Sequence, residues 1–278
     1  MTMRAGLIQL NSSDDPARNL PDIQGYIAEA AERGARFVLT PEVTNCVSGS
    51  RTHQNDVLRH QDEDQTLVAL RAQAAELKIW LLIGSLALKT DDPDGRFANR
   101  SFLIAPDGQI AAWYDKIHMF DVQVSETESY RESKGYRPGG RAIVHDAGFA
   151  KIGMSVCYDI RFPYLYRALA EAGAEVLVIP SAFSPVTGAA HWEPLLRARA
   201  IETGCYVLAP GQTGTHEVSR GAPRKTYGHS MVVAPWGEVL ADGGTEPGVI
   251  IVDLDPMEVA QARGRVPSLR HTAQFTGP

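Results

Sequence analysis

The sequence predicts an α/β fold on three observations. Short apolar runs of strand length recur along the chain, stretches of helical spacing fall between several of them, and Gly and Pro signals punctuate the chain without forming a linker. Strands and helices that take turns in this way imply sheets covered by helices. Strand-like runs lie at 3–10, 36–40, 79–86, 99–104, 110–114, 151–156, 176–180, 205–209, 229–233 and 249–254. Asp14, Asp15 and Pro16 signal the start of a helix that ends near Gly34. Residues 64–77 have helical spacing, 164–172 follow Pro163 and stop before Gly173, and His191 and Trp192 open a helical segment over 191–203. Pro106-Asp107-Gly108 and Pro235-Trp236-Gly237 read as hairpin turns.

With 278 residues, 44% of them hydrophobic, the chain can bury a large core as one domain over 1–278, with a tail expected from about 255. A formal net charge of -6, with acidic and basic residues interspersed, leaves no basic footprint for nucleic acid. Cys46, Cys157 and Cys205 are odd in number and too widely spaced for a C-x-x-C unit, so neither a disulfide framework nor a structural zinc site is expected. The chain opens directly into a strand, and no apolar run approaches the ~18 residues of a membrane span. A cytoplasmic protein with no membrane partner is expected. With no H-e-x-x-H spacing, Walker loop or dinucleotide fingerprint, neither metal nor cofactor is expected.

The chemistry concentrates where strands end. In KIGMSVCYDIRFP, at 151–163, an apolar run stops at Cys157 and Pro163 begins a helix. A side chain on such an elbow stands at the end of the sheet, and the N–H of the next residue, Tyr158, can point at the same place, as at a hydrolase nucleophile elbow. The competing reading is a buried structural thiol. In RFVLTPE, Glu42 follows a second buried run, where apolar neighbours are expected to raise its pKa toward that of a general base. In AAWYDKIH, Lys116 closes a third strand; alone it reads as a solvated end-of-strand charge. A base, a cation and a thiol at three strand ends are the parts needed to attack an amide carbonyl.

The order Glu42, Lys116, Cys157 resembles the Glu-Lys-Cys order of the nitrilase superfamily of carbon-nitrogen hydrolases. The resemblance runs from residue 4 to about 254. It includes LTPE at 39–42, YDKIHMFD at 114–121, VCYDIRFP at 156–163, PSAF at 180–183, TGAAHWEPLLRARAIETGCYV at 187–207 and YGHSMVVAPWGEVLA at 227–241. The last three are most similar to the branch of amidases acting on deaminated glutathione, and next to the omega-amidases acting on 2-oxoglutaramate. The resemblance implies a four-layer α-β-β-α sandwich and a thioester route with Cys157 as nucleophile, Glu42 as base, and Lys116 with the Tyr158 N–H as oxyanion donors. It also implies a second glutamate, matched to Glu132 with Glu126 and Glu128 as local competitors, and a homodimer or larger assembly.

For the substrate, a small carboxylate-bearing amide, Arg161 is the candidate cation, with pairing to Asp159 or a helix end as its structural alternative. Phe183 and Thr187, in the loop VTGAAHW, are pocket residues by resemblance only. The loop 213–225 is the expected seat of leaving-group selectivity. His191 with Trp192, Arg197 with Glu193, Arg199 with Glu202, and His118 beside the lysine strand all have structural readings. An N-carbamoyl-amide hydrolase is an enzymatic alternative, and a thiol redox sensor or interaction protein a non-enzymatic one.

Overall fold

Met3–Gln9 (β1) already separates the layers of the molecule. Ala5 and Leu7 enter one apolar cluster and Ile8 another, the alternation of a strand covered on both faces. The computed structural model describes residues 2–124, 129–271 and 273–277. In it β1 lies beside Phe37–Leu39 (β2), then Trp80–Leu88 (β3), Ala98–Ile104 (β4) and Ile110–Asp115 (β5), while the last strand, Gly248–Leu254 (β16), closes the other edge. β1, β2 and β3 run parallel; β4, β5 and β16 pair antiparallel.

A second six-stranded sheet holds, in spatial order, Val239–Asp242 (β15), Met231–Val233 (β14), Tyr206–Ala209 (β11), Val176–Val178 (β10), Lys151–Met154 (β9) and Ile143–Asp146 (β8). Its centre, β9, β10 and β11, is parallel. Two hairpins stand apart: Asp121–Gln123 (β6) with Ser129–Arg131 (β7), and Thr213–Thr215 (β12) with Lys225–Tyr227 (β13). All ten runs read as strands contain one. The sequence reading passed over β6, β7, β8, β12, β13 and β15, each only three or four residues long.

Helices close the outer faces. Pro16–Glu32 (α1) starts where Asp15 accepts from the Ala17 and Arg18 amides, and it lays Ile23, Ile27 and Ala30 on the first sheet. Arg51–Val57 (α2) is a short helix capped by Ser50. Gln65–Leu77 (α3), capped by Asp64, adds Leu67, Leu70 and Ala74 to the layer of α1. Pro163–Glu171 (α4) and Pro185–Thr203 (α5) cover the second sheet with Leu165, Leu169, Trp192 and Leu196. Between the sheets, Leu7, Phe37, Leu39, Leu82 and Leu103 share one core with Ile152, Met154 and Val156. The layering is α-β-β-α, as expected.

Two boundaries are corrected. α5 begins at Pro185, after Ser184, so VTGAAHW is helical and Thr187 sits in a first turn rather than a loop. The segment expected as a tail from about 255 opens with Pro256–Arg265 (α6), capped by Asp255; it buries Val259 and Ala262 and bonds Arg263 to the Thr203 and Ala174 carbonyls.

One glycine brings the sheets together where it matters. Gly84 lies at the irregularity of β3, and a Cβ there would stand 2.0 Å from the Thr40 carbonyl oxygen and 2.5 Å from Pro180 Cβ. Thr40 and Pro41 lead out of β2, and Pro180 leads out of β10 in the other sheet. The missing side chain therefore lets the ends of β2 and β10 converge. Gly84→Ala should cost about 2–3 kcal/mol by overpacking, read as a lowered urea midpoint with unchanged m, and should reduce activity in the protein that remains folded. An unfolding midpoint equal to that of the parent would refute this account of the convergence.

Candidate active site

Glu42, Lys116 and Cys157 meet at the ends of β2, β5 and β9, on the edge where ligands of parallel sheets gather. All three are buried, at 4%, 2% and 6% exposure. The Lys116 ammonium donates to Glu42 Oε1 at 2.9 Å and to both carboxylate oxygens of Glu132, each at 2.9 Å. Asn99 Nδ2 donates to Glu42 Oε1 at 2.8 Å, the Ala182 amide to Glu42 Oε2 at 2.8 Å, and the Phe120 amide to Glu132 Oε2 at 2.6 Å. The Cys157 thiol lies beside the Glu42 carboxylate, near enough for the carboxylate charge to raise its pKa. Glu132 is thus the carboxylate that meets Lys116, while Glu126 and Glu128 lie outside the described residues.

Backbone strain lies at Cys157 and beside Glu42. Cys157 has φ 50 and Val43, next to Glu42, has φ 47, a region that side-chain-bearing residues rarely adopt. Each is held by a specific bond: the Cys157 amide donates to the Pro180 carbonyl at 2.9 Å, and the Val43 amide to Ser85 Oγ at 2.8 Å. Cys157–Arg161 is one tight helical turn, so the Tyr158 N–H lies among its first amides, which have no carbonyl of the turn behind them.

The electrostatics correct one expectation. Burial does push Glu42 up, but the charges of Lys116 and Arg224 outweigh it and hold the carboxyl below its ordinary value. The expected rise considered the apolar surroundings and not these cations. Burial and the adjacent Glu42 charge push the Cys157 thiol far up, against the opposing pull of Lys116. Burial would lower Lys116, yet Glu132 and Glu42 keep it well above its ordinary value. At neutral pH the resting site holds a protonated thiol, an ionised Glu42 and an ammonium.

A cavity of about 440 Å³ opens above these groups. Tyr158, Phe183 and Thr187 line it, together with Tyr130, Tyr136, Cys46 and Arg224. Arg161 does not. Its guanidinium reaches His191 Nδ1 at 3.2 Å and lies 5.5 and 5.9 Å from the ring centroids of Phe183 and Tyr158. Asp159 does not pair with it either, being fully engaged elsewhere. Trp192 is a core residue whose indole donates to the His229 carbonyl, and Arg197 and Arg199 make their ion pairs with Glu193 and Glu202.

The sequence pattern of carbon-nitrogen hydrolases matches residues 4–264. The chain belongs to the carbon-nitrogen hydrolase family. It is 38% identical over 275 residues to a deaminated glutathione amidase of Synechocystis, covering 96% of this chain and 97% of that one. It is 35% identical to the omega-amidase NIT2 of Homo sapiens over 269 residues, covering 97% and 94%. Among solved structures it superposes on a nitrilase-superfamily amidase from Nesterenkonia AN1 with a TM-score of 0.76 at 27% identity, covering 95% of each chain. Another structure of that amidase carries acrylamide added at its active site cysteine.

As a carbon-nitrogen hydrolase the chain has a positioning residue, Asp159, that sequence reasoning passed over. Asp159 is fully buried and accepts from the Val156 amide (2.9 Å), the His118 amide (3.0 Å), His118 Nδ1 (2.6 Å) and the Tyr114 hydroxyl (2.7 Å). Val156 precedes the thiol, and Tyr114 and His118 bracket Lys116, so one carboxylate fixes the elbow to the lysine strand. Arg199 braces the same turn through the Ile160 carbonyl at 2.8 Å. Asn99 was likewise missed. An aspartate two residues beyond an elbow cysteine was the available signal for Asp159.

Asp159→Asn turns an acceptor of four donors into a mixed group. It should destabilise the fold by about 2–3 kcal/mol and lower kcat at least about tenfold with little change in KM, since misalignment acts on the reacting geometry. A stability loss with kcat unchanged would make the residue merely structural. The pH profile tests the charge assignment. Because Glu42 is depressed, it stays ionised through its ordinary value of 4.5, so the acidic limb of kcat/KM should fall below that pH. Its contribution to stability is likewise present above the unfolded value and lost as pH falls through the folded one. An acidic limb at pH 6 or above would contradict the assignment.

Proposed function

We propose that this carbon-nitrogen hydrolase is an amidase that cleaves deaminated glutathione to 2-oxoglutarate and cysteinylglycine through a thioester on Cys157. The observation that carries the chemistry is the convergence of Cys157 with the bonded cluster of Glu42, Lys116 and Glu132 on one cavity. The substrate rests on the similarity to a deaminated glutathione amidase over nearly the whole of both chains. A cavity of about 440 Å³ is within the roughly 300–1,000 Å³ of small-molecule sites, with room for a dipeptide leaving group.

In the first step Glu42 takes the thiol proton as Cys157 Sγ bonds to the amide carbon, and the carbonyl electrons move to oxygen. The Lys116 ammonium and the Tyr158 N–H receive that oxyanion; loss of one such donor typically costs about a hundredfold to a thousandfold. Glu42 returns the proton to the leaving nitrogen, the C–N bond breaks, and the thioester remains. Water, deprotonated by Glu42, then attacks the thioester carbon, and Cys157 leaves with the proton. Glu132 keeps Lys116 charged and placed. No step calls for a metal or nucleotide.

The residues of the site come from both sheets, which supports one catalytic domain. Tyr164, Val186 and Ile201, apolar and exposed on α4 and α5, support a homodimer or larger assembly. Among the described residues no helix is long and apolar enough to cross a membrane, and the three cysteines are unpaired, which fits a reducing, cytoplasmic setting. A redox-sensor role fits poorly with a buried thiol whose pKa is raised, since sensors rely on exposed thiolates. The similarity to NIT2 favours omega-amidase activity on 2-oxoglutaramate as the second reading.

The test is a direct assay of both amides by 2-oxoglutarate release. The ratio of kcat/KM should favour deaminated glutathione by at least about tenfold, or roughly 1.4 kcal/mol of differential transition-state binding. Intact mass during turnover should show an acyl adduct on Cys157, absent from a folded Cys157→Ala protein that does not turn over. A preference for 2-oxoglutaramate would select the second reading, and substantial hydrolysis by Cys157→Ala would end the covalent route.

A further inference from the structure

The cavity is lined by five cations, and four of them are committed or peripheral. Lys116 is held by Glu42 and Glu132. Arg51 donates to the carbonyls of Lys134, Asp94 and Gly95. Arg131, the last residue of β7, and Lys134, just after it, are exposed to solvent. Arg224, in the connection between β12 and β13 and directly before β13, differs from all of these. Its Nη2 donates to the Ala182 carbonyl at 2.5 Å and its guanidinium lies 5.7 Å from the Tyr130 ring centroid, while its buried Nε has no hydrogen-bond partner among the described residues. A guanidinium with donors to spare on the wall of a binding cavity is suited to a planar oxyanion.

We propose that Arg224 holds the carboxylate on the leaving-group side of the substrate, the glycine end of cysteinylglycine. The assignment of side follows from the proton path. Glu42 must hand a proton to the departing nitrogen, so the leaving group passes over the Glu42 carboxylate. Ala182 links the two: its amide donates to Glu42 Oε2 and its carbonyl accepts from Arg224. Arg224 therefore stands on the side of Glu42 by which the amine departs. Tyr130, whose ring faces the guanidinium, also lines the cavity and offers the dipeptide an apolar wall. This role rests on the amidase reading above and adds a selectivity that ammonia, with no carboxylate, does not engage.

The experiment compares three amides: deaminated glutathione, its glycinamide analogue in which only the terminal carboxylate is neutralised, and 2-oxoglutaramate. In Arg224→Met the ratio of kcat/KM for deaminated glutathione to that for the glycinamide should fall about thirtyfold, mostly through KM, and the ratio to 2-oxoglutaramate should fall similarly. Arg224→Lys, which keeps the charge but loses the fork, should fall between. Circular dichroism melts of both variants establish folding, and Arg224→Lys carries the test if Arg224→Met does not fold. Equal losses on all three substrates would mean that Arg224 acts through the charge of Glu42, overturning the clamp while leaving the amidase reading intact. Unchanged ratios would overturn the clamp alone. No turnover of deaminated glutathione by the parent enzyme would overturn the substrate reading, and the clamp with it.

Discussion

Everything at the active end of the molecule depends on a buried ammonium shared by two carboxylates. Taking three charges out of water costs several kcal/mol for each, and a cluster of this kind is a poor way to stabilise a fold. Its cost is offset only because each charge finds several partners: Lys116 meets three carboxylate oxygens, Glu42 also accepts from Asn99 and Ala182, and Glu132 from Phe120. Two of those partners are backbone amides. The cluster is therefore bound to the chain path itself, and the strand ends must arrive in fixed positions for it to exist.

Those positions are fixed by devices outside the cluster. Gly84 lets β3 pass close to the ends of β2 and β10, and Asp159 ties the cysteine turn to the lysine strand. Strained backbone at Val43 and Cys157 lies directly beside the two groups between which the proposed mechanism moves a proton. Strain of this kind persists only where the surroundings over-determine it. The Pro180 carbonyl, the Ser85 hydroxyl and the Asp159 carboxylate supply that determination, each from a separate element.

The central strands were legible because each is an apolar run buried on both faces, so its own composition declares it. β8 and β15 were not, since Ile143–Asp146 and Val239–Asp242 alternate weakly and owe their form to the neighbours they pair with. α6 carried a usable signal: Asp255 and Pro256 repeat the Asp15 and Pro16 start of α1, but low apolar content hid it. Glu42, Lys116 and Cys157, the proposed catalytic residues, stood out for the same reason as the strands, each being a polar residue that ends an apolar run. What the chain order concealed was electrostatic. Arg224 lies far from Glu42 in sequence yet helps set the direction of its pKa, while Arg161, only two residues from Asp159, makes no pair with it.

The charge arrangement also explains how one lysine can serve two partners in the proposed cycle. At rest the Lys116 ammonium is held by the Glu42 and Glu132 carboxylates, and the Cys157 thiol keeps its proton because burial and the adjacent Glu42 charge both disfavour a thiolate. When the thiol proton moves to Glu42 as sulfur attacks, Glu42 becomes neutral and the negative charge reappears on the substrate oxygen. The total charge in the cavity is unchanged; only its position shifts. Lys116 then loses one ionic partner as the oxyanion offers itself as a replacement, and no charge has to be created in a medium of low dielectric. Had Glu42 been protonated at rest, it could not accept the proton and this exchange of partners would not occur. The depressed carboxyl is thus a condition of the mechanism rather than an obstacle to it.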